Sequence, residues 1–579
     1  MTGTPPTPLS DPARTATTPA PAPIPAARPG TGLPGKGREV ELKLLVAPGD
    51  LARIAGLPLV GEGAVAPPSP CRQHTTYYDA PGLILARRGL ALRIRREGVL
   101  RIQAVKTMGG AAGDAAAVAV RQEWEWEIAG DGPDLAPLRR GELATVIPGE
   151  VVDALTPIFT TDIKRTAVTL RTATGALIEL ALDEGRITAR HPGGGSAHAA
   201  VAEIELELKD GRLADLFDLA RAIHARVPLR LATRSKADMG FGLLTGRVPE
   251  SRPARPLGLS PVSTVAEAFR HIARNGLTQL LDNEPALAAG GDAEALREMA
   301  AAIRRLDAAF GLFKGVIGGP RAMGLRTELR RLGAPLEEAR LWERVHDRWL
   351  APLMHDDRAP RHLAAAVAGA RRTARIAALE HLAGPAWTGW QLDFAAWLEG
   401  GDWLAEAVDG TESATGVFAR PMTDLAPTLL ADRLQRVARA MRKGPAADGA
   451  EGPGKDADWP RQWRPLWRRT QRLRYALDFC RAVFPPDRVR PLHGAVETFR
   501  RTLKQAADAD QALDALKALA ADGNAEMARD LRRVKRHLKA TRDEARSALS
   551  PAWEALTTIA RTSFADPGSP GFRPTIPPP

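Results

Sequence analysis

Residues 38–46 read "REVELKLLV", in which Glu39, Glu41 and Lys43 alternate with Val40, Leu42 and Leu44. Period-two alternation describes a strand with one apolar and one charged face. The pattern recurs with Arg93 and Arg95 in "LALRIRR", Glu123, Glu125 and Glu127 in "QEWEWEI", and Glu179 and Asp183 in "IELALD". It returns where Glu203, Glu205, Glu207 and Lys209 alternate with Ile204, Leu206 and Leu208. One such strand needs only water on its charged side. Several in one domain, carrying both signs, suit a highly charged ligand held with a metal, because unpaired charges in a cavity are expensive. Carboxylates offer hard oxygen ligands to Mg²⁺ or Mn²⁺, whereas Arg and Lys neutralise phosphate oxygens. The set fits hydrolysis or transfer at a polyphosphate better than acyl transfer, and the sequence has no Gly-rich nucleotide-binding loop.

The elements that must position these residues follow two grammars. From about 37 to 244, short strand-like runs are separated by turn signals such as "REG", "TATG" and "HPGGGS". Helical patterns near 48–60 and 211–227 offer cover for an apolar sheet face, and closure into a barrel-like tunnel would turn the charges inward. A Pro- and Ser-containing bridge at 248–265 marks a boundary. Beyond it, apolar residues at three- and four-residue spacing, with Arg on other faces, predict an all-α region over 262–560 that is broken by a polar stretch at 443–460. Within that region Arg304, Arg305 and Leu306 echo Gln471, Arg472 and Leu473 at an offset of 167. The expected organisation is a disordered Pro/Ala/Thr-rich tail (1–36), a β domain (37–245), a linker (246–261), the helical region (262–560) and a Pro-rich tail (561–579).

The chain of 579 residues carries 80 Lys and Arg against 68 Asp and Glu, a surplus that favours anionic partners without choosing among them. Two distant cysteines, Cys71 and Cys480, exclude a disulfide scaffold and a cysteine metal cluster. There is no apolar run long enough for a bilayer and no signal-peptide pattern, so the expectation is a cytoplasmic protein without a membrane partner.

"EVELK" matches the ExExK signature of the CYTH superfamily, the triphosphate tunnel metalloenzymes. The resemblance continues in order through "LALRIRR", "AVK", "TDIKRT", "IELALDEG", "AEIELELK" and "SKADMGF", covering about 37–244. It implies an antiparallel eight-stranded tunnel (α+β) holding a triphosphate. Glu39, Glu41, Asp183, Glu203 and Glu205 match the metal-binding carboxylates. Lys43, Arg93, Arg95, Lys106, Arg165 and Lys236 match the basic substrate-binding positions. Lys43, Lys106 and Glu41 are the implied catalytic residues, with the base that activates water left open. Lys106 has the opposite parity from Arg101 and Gln103, so it needs its own register or a bulge to point inward.

The second half resembles a CHAD domain, which implies paired helical bundles with a basic, polyphosphate-binding surface. "LREMAAAIRRLDAAFGLF" and "RPLWRRTQRLRYALDF" stand where that family has its two histidine-containing motifs, but Arg297 and Arg464 occupy the histidine positions. Arg297, Arg304, Arg464, Arg468 and Arg472 are the candidate polyphosphate ligands, and Lys535, Arg536 and Lys539 form a further basic stripe. The implied activity is a Mg²⁺- or Mn²⁺-dependent inorganic triphosphatase acting on tripolyphosphate, with long-chain polyphosphate as a second ligand. No specific nucleic-acid partner is indicated. The alternatives are a non-catalytic polyphosphate-binding adaptor, or a CYTH enzyme acting on an organic triphosphate, such as a thiamine triphosphatase or adenylate cyclase. Trp124 and Trp126 are the aromatic residues left open as stacking partners for a base inside the site.

Overall fold

The computed structural model describes residues 38–108, 118–190, 194–290, 293–355, 357–404, 413–442, 459–521 and 523–563. The expected tails, except residues 561–563, and most of the polar break at 443–460 lie outside these residues, as does the side chain of Glu39.

Nine strands make one antiparallel sheet: β1 (Arg38–Leu45), β2 (Ser69–Asp79), β3 (Leu90–Glu97), β4 (Leu100–Thr107), β5 (Val118–Glu127), β6 (Thr156–Arg171), β7 (Leu177–Arg190), β8 (Ser196–Asp210) and β9 (Arg230–Leu231). Their order is β5-β4-β3-β2-β6-β7-β8-β1-β9. This corrects the expected eight-stranded tunnel. The ninth strand is too short to carry a periodic signal, and it changes how the sheet ends. On one edge β1 pairs with β8. On the other, β5 pairs only with Arg38–Leu42, and β9 takes over at Leu44 and Leu45. The two ends of the sheet therefore meet over part of β1 and are not sealed along its length.

Helices of ten residues or more are α1 (Leu213–His224), α2 (Lys236–Thr245), α3 (Val265–Ala288), α4 (Ala293–Leu312), α5 (Pro320–Arg344), α6 (Arg361–Ala383), α7 (Pro385–Gly400), α8 (Met422–Arg442), α9 (Trp459–Cys480), α10 (Pro486–Leu519), α11 (Ala525–Ser547) and α12 (Leu549–Ser563). The helix expected near 48–60 is instead three short pieces, Pro48–Asp50, Leu51–Ala55 and Pro58–Gly63. Gly56 ends one and Pro58 restarts the next. None of the described helices is long and apolar enough to cross a membrane.

Alternation sorts each central strand onto two faces. Leu42, Leu44, Ile178, Leu180, Ile204 and Leu206 are buried and pack with Leu216, Phe217, Ala220 and Ile223 of α1. Their neighbours Glu41, Lys43, Asp183, Glu203 and Glu205 are thereby placed on the opposite face. The apolar core continues without interruption into the helical half, through Phe269, Phe310, Phe313, Trp387 and Trp397. The α1 helix lies against α7, where Arg221 pairs with Asp393 at 2.5 Å and His224 Nε2 meets the Pro385 carbonyl at 2.8 Å. Segment 246–261 is strapped along α3: Asn283 bonds both the N–H and the C=O of Arg252 (2.9 and 2.8 Å), and Arg255 pairs with Asp282 at 2.9 Å. Shifting α4, α5 and α6 by the 167-residue offset lands their starts within three residues of α9, α10 and α11. The echo in the sequence is therefore a repeat of helices.

Candidate functional site

Register assembles the charged face. Lys43 lies opposite Glu205, Arg165 opposite Asp183, and Asp183 opposite Glu203. Lys236 arrives from the first turn of α2, whose start is fixed by a capping box: Ser235 Oγ accepts from the Asp238 N–H, and Asp238 accepts from the Ser235 N–H. The α2 helix can lie on the sheet because residue 240 is glycine; a Cβ there would stand 2.2 Å from the Phe159 ring.

Asp183 and Glu203 are fully buried. Arg165 donates to Asp183 through Nε (2.7 Å) and Nη2 (2.6 Å), and through Nη2 to Glu205 (2.5 Å). Lys236 Nζ reaches Asp183 at 2.6 Å and Glu205 at 3.1 Å, and also bonds Glu203. Lys43 bonds Glu205 and stands 3.3 Å from Glu41. Burial alone would raise the pKa of Glu205, but Lys236, Lys43 and Arg165 hold it well below the ordinary carboxylate range. Asp183 is lowered likewise, with burial opposed by Lys236 and Arg165. Burial works against the charge on Lys43 and Lys236, yet the carboxylates raise both, Lys236 by more. Lys43 is thus set up as a proton-bearing donor rather than a base.

One carboxylate oxygen from each of Asp183, Glu203 and Glu205 lies within 4.8 Å of the other two, and Glu203 Oε2 is buried with no hydrogen-bond partner. Closely grouped hard oxygens, one of them unsatisfied, fit a divalent cation such as Mg²⁺ or Mn²⁺. Glu41 belongs to β1 beside this trio and reaches Lys43 instead.

A second basic group lies on β3 and β4. Lys106 pairs with Glu123 at 2.8 Å, Arg93 approaches Glu123 at 3.5 Å, and Arg95 pairs with Glu97 at 2.8 Å and Glu125 at 3.7 Å. Lys106 needs no bulge, because β4 pairs with β3 and β5 in unbroken register, opposite Ala91 and Glu123. The residues that point away are Arg101, paired with Asp131 at 2.5 Å, and Gln103, buried and bonded to the backbone of Asp134. Glu123, whose side chain is 7% exposed, lies between Lys106 and Arg93. Trp124 and Trp126 face the other way: both pack against the cluster of Leu92, Ile94 and Val105, and Trp124 Nε1 donates to Glu142 at 3.1 Å.

Four of the five candidate arginines of the helical half lie against carboxylates. Arg297 pairs with Glu294 on its own helix, Arg304 with Glu337, Arg464 with Asp514, and Arg472 approaches Asp307 at 3.7 Å, while Arg468 is exposed. Arg304 instead joins a cluster that sequence spacing did not reveal. In it Arg340 and Arg344 of α5 meet Lys504 and Asp508 of α10, with Arg344 standing 3.7 Å from Asp508. Arg340 Nε and Arg344 Nη1 are buried without hydrogen-bond partners. Burial first, then Arg304 and Arg344, lower the pKa of Arg340, which marks a surplus of positive charge. The signal in the sequence was the i,i+4 spacing of Arg340 and Arg344, which gains meaning only once α10 is placed beside them.

Compared with known families, residues 37–240 match the CYTH domain and residues 271–495 match the CHAD domain. The chain is a CYTH–CHAD protein. Its sequence is 33% identical over 167 residues to an inorganic triphosphatase of Haemophilus influenzae, a stretch covering 29% of this chain and 44% of that relative. The chain thus spans less than half the length of that curated relative. Among solved structures, the CHAD domain from the plant Ricinus communis aligns at 21% identity with a TM-score of 0.44, covering 53% of this CYTH–CHAD chain and 96% of that one. PptA from Streptomyces chartreusis aligns at 17% identity with a TM-score of 0.37, covering 50% and 100%.

Proposed function

We propose that this CYTH–CHAD protein is a divalent-metal-dependent hydrolase of an inorganic triphosphate, and that its helical half binds longer polyphosphate. The observation that carries the reading is the trio Asp183, Glu203 and Glu205, ringed by Lys43, Arg165 and Lys236 and lying in the same sheet as Arg93, Arg95 and Lys106. A purely anion-binding face would have no use for buried carboxylates, which repel phosphate unless a cation lies between them. A bound Mg²⁺ or Mn²⁺ would supply charge neutralisation at the phosphate oxygens and polarise the attacking water. The residues that would hold it are Asp183, Glu203 and Glu205.

The chain's own groups divide the remaining work. Lys236 and Arg165, tied to the carboxylates as they stand, would be free to donate to phosphate oxygens if a cation held by Asp183, Glu203 and Glu205 took over their counter-charge. Lys43, held protonated, donates to the phosphoryl group as charge accumulates on it. Glu41, 3.3 Å from Lys43, would be the carboxylate that takes the proton of the attacking water. Water adds to the terminal phosphorus, the P–O–P bond breaks, and orthophosphate leaves with pyrophosphate. Trp124 and Trp126 lie on the opposite side of the sheet, so neither offers a base-stacking surface beside this site. That favours an inorganic chain over a nucleoside triphosphate. The similarity to the Haemophilus inorganic triphosphatase supports the same substrate class.

The surplus charge around Arg304, Arg340, Arg344 and Lys504, with two orphaned guanidinium nitrogens, supports polyphosphate binding by the helical half. Phosphate release from tripolyphosphate, ATP and thiamine triphosphate, measured in parallel with Mg²⁺, with Mn²⁺ and after chelation, tests the reading. Metal-dependent turnover that is fastest on tripolyphosphate is expected. Preference for ATP or thiamine triphosphate would overturn the substrate, and no turnover of any of the three would overturn the activity.

A further inference from the structure

Helix α11 lies outside the stretch that matches the CHAD domain family, and one of its faces carries a run of exposed basic residues. Arg529, Arg532, Lys535, Arg536 and Lys539 are all exposed, and among the described residues none of the five has a carboxylate partner. At 3.6 residues per turn they share an arc of about 120° and run for about 15 Å. Val534 and Leu538 are buried on the side that packs into the bundle, away from this arc.

The acids near the start of α11 are committed elsewhere. Glu526 meets His362 Nε2 at 2.9 Å, and Asp530 accepts the backbone N–H groups of His362 (3.0 Å) and Leu363 (3.2 Å) on α6. They anchor the helix without neutralising the stripe. Asp543 and Glu544 lie beyond its last residue. Like charges three and four residues apart destabilise a helix. Here that cost is carried by a helix pinned at Asp530 and packed through Val534 and Leu538.

We infer that the exposed face of α11 binds the phosphate backbone of double-stranded DNA without regard to sequence. The stripe is convex, which suits a rigid partner whose charges are already spaced along a groove; the major groove of B-DNA, about 12 Å wide, admits a helix. A flexible polyphosphate chain gains more from the enclosed surplus charge at Arg340 and Arg344. The large hydrophobic residues exposed elsewhere, such as Ile376 and Val262, have no counterpart on α11, so the face offers nothing to insert into a lipid surface. The arc contains no Asn or Gln to read base edges, which leaves phosphate contact as the source of affinity.

The test is fluorescence anisotropy of the full chain with two unrelated DNA duplexes of about 20 base pairs, each titrated at several NaCl concentrations. Five phosphate contacts give a log–log salt slope of roughly −4.5. The triple variant Arg532→Gln, Lys535→Gln, Arg536→Gln should lower affinity for both duplexes at least tenfold and reduce that slope by about 2.7. Its circular dichroism and tripolyphosphate turnover should match the parent, since Gln is close to Arg and Lys in helix propensity. An unchanged slope in a folded variant would overturn the inference. So would a variant that loses long-chain polyphosphate binding while keeping DNA, or a parent that discriminates strongly between the two duplexes.

Discussion

Replacing Glu205 with Gln keeps the shape of the side chain and removes the carboxylate that, alone among the described residues, touches Lys43, Arg165 and Lys236 together. Two effects follow, and they separate by assay. Without metal, three cations lose a shared counter-charge in a poorly hydrated place. Breaking a buried pair by removing one partner costs about 3–5 kcal/mol. The Glu205 side chain is 13% exposed and Asp183 and Glu203 still serve Lys236, so the lower end, about 3 kcal/mol, applies. For a cooperative unit of 150–250 residues, that is a fall in Tm of roughly 6–12 °C. With metal, the parent gains stability from binding, about 2.7 kcal/mol at a hundredfold excess over Kd, while the variant has lost a ligand and gains little. Scanning calorimetry with EDTA and with saturating Mg²⁺ reads both numbers, and phosphate release from tripolyphosphate should fall at least tenfold. A variant within 1 °C and twofold of the parent in both assays would refute the placement of the metal and the charge accounting together.

Lys106→Met should raise KM for tripolyphosphate by roughly 10–100-fold, the worth of one charge-assisted contact, with circular dichroism unchanged; an unaltered KM would remove Lys106 from the substrate. Arg340→Gln with Arg344→Gln should weaken binding of length-defined polyphosphate at least tenfold by isothermal titration while leaving tripolyphosphate turnover intact, and equal affinities would reject the cluster. Acid stability follows from the lowered pKa values of Asp183 and Glu205. Groups with depressed pKa stabilise the fold above their unfolded values near 4 and lose that contribution as pH falls through the folded values, so Asp183→Asn should flatten the loss of Tm below about pH 4. Glu284 behaves in the opposite sense. Burial raises its pKa against bonds from Trp387 and Gln391, so its contribution is lost as pH rises; Glu284→Gln should match or exceed the parent's Tm at pH 8, with the gap closing toward pH 5.

How much of this was legible depended on whether a signal repeats. In β1, β7 and β8 the charged residues face the site because Leu42, Leu180 and Leu206 must pack against α1, and that alternation can be read from the chain. The same reasoning misjudged β4. Gln103 is polar yet lies on the buried side, held by the backbone of Asp134, so its parity suggested a bulge that the unbroken register lacks. Strand β9 has two residues and hence no period to read. The Arg340 cluster depends on α5 and α10 meeting across more than a hundred residues of chain, which spacing within either helix does not encode.

Strand β9 also makes the two halves less separable than their different grammars suggest. Ala232 N–H, just past it, donates to the carbonyl of Lys43 at 3.0 Å. Leu229, just before it, donates its N–H to His224 Nδ1 at 3.0 Å, while Nε2 of the same ring meets Pro385 of the helical half. An imidazole that accepts at Nδ1 must carry its proton on Nε2, so the ring is committed to both neighbours at once. The backbone of a proposed catalytic lysine is thus three hydrogen bonds from α7. A protease nick in the segment strapped along α3 should leave both pieces travelling together through gel filtration. Transplanting the β half onto an unrelated partner would keep β9 beside Lys43 but remove the Pro385 carbonyl that holds the His224 ring behind it.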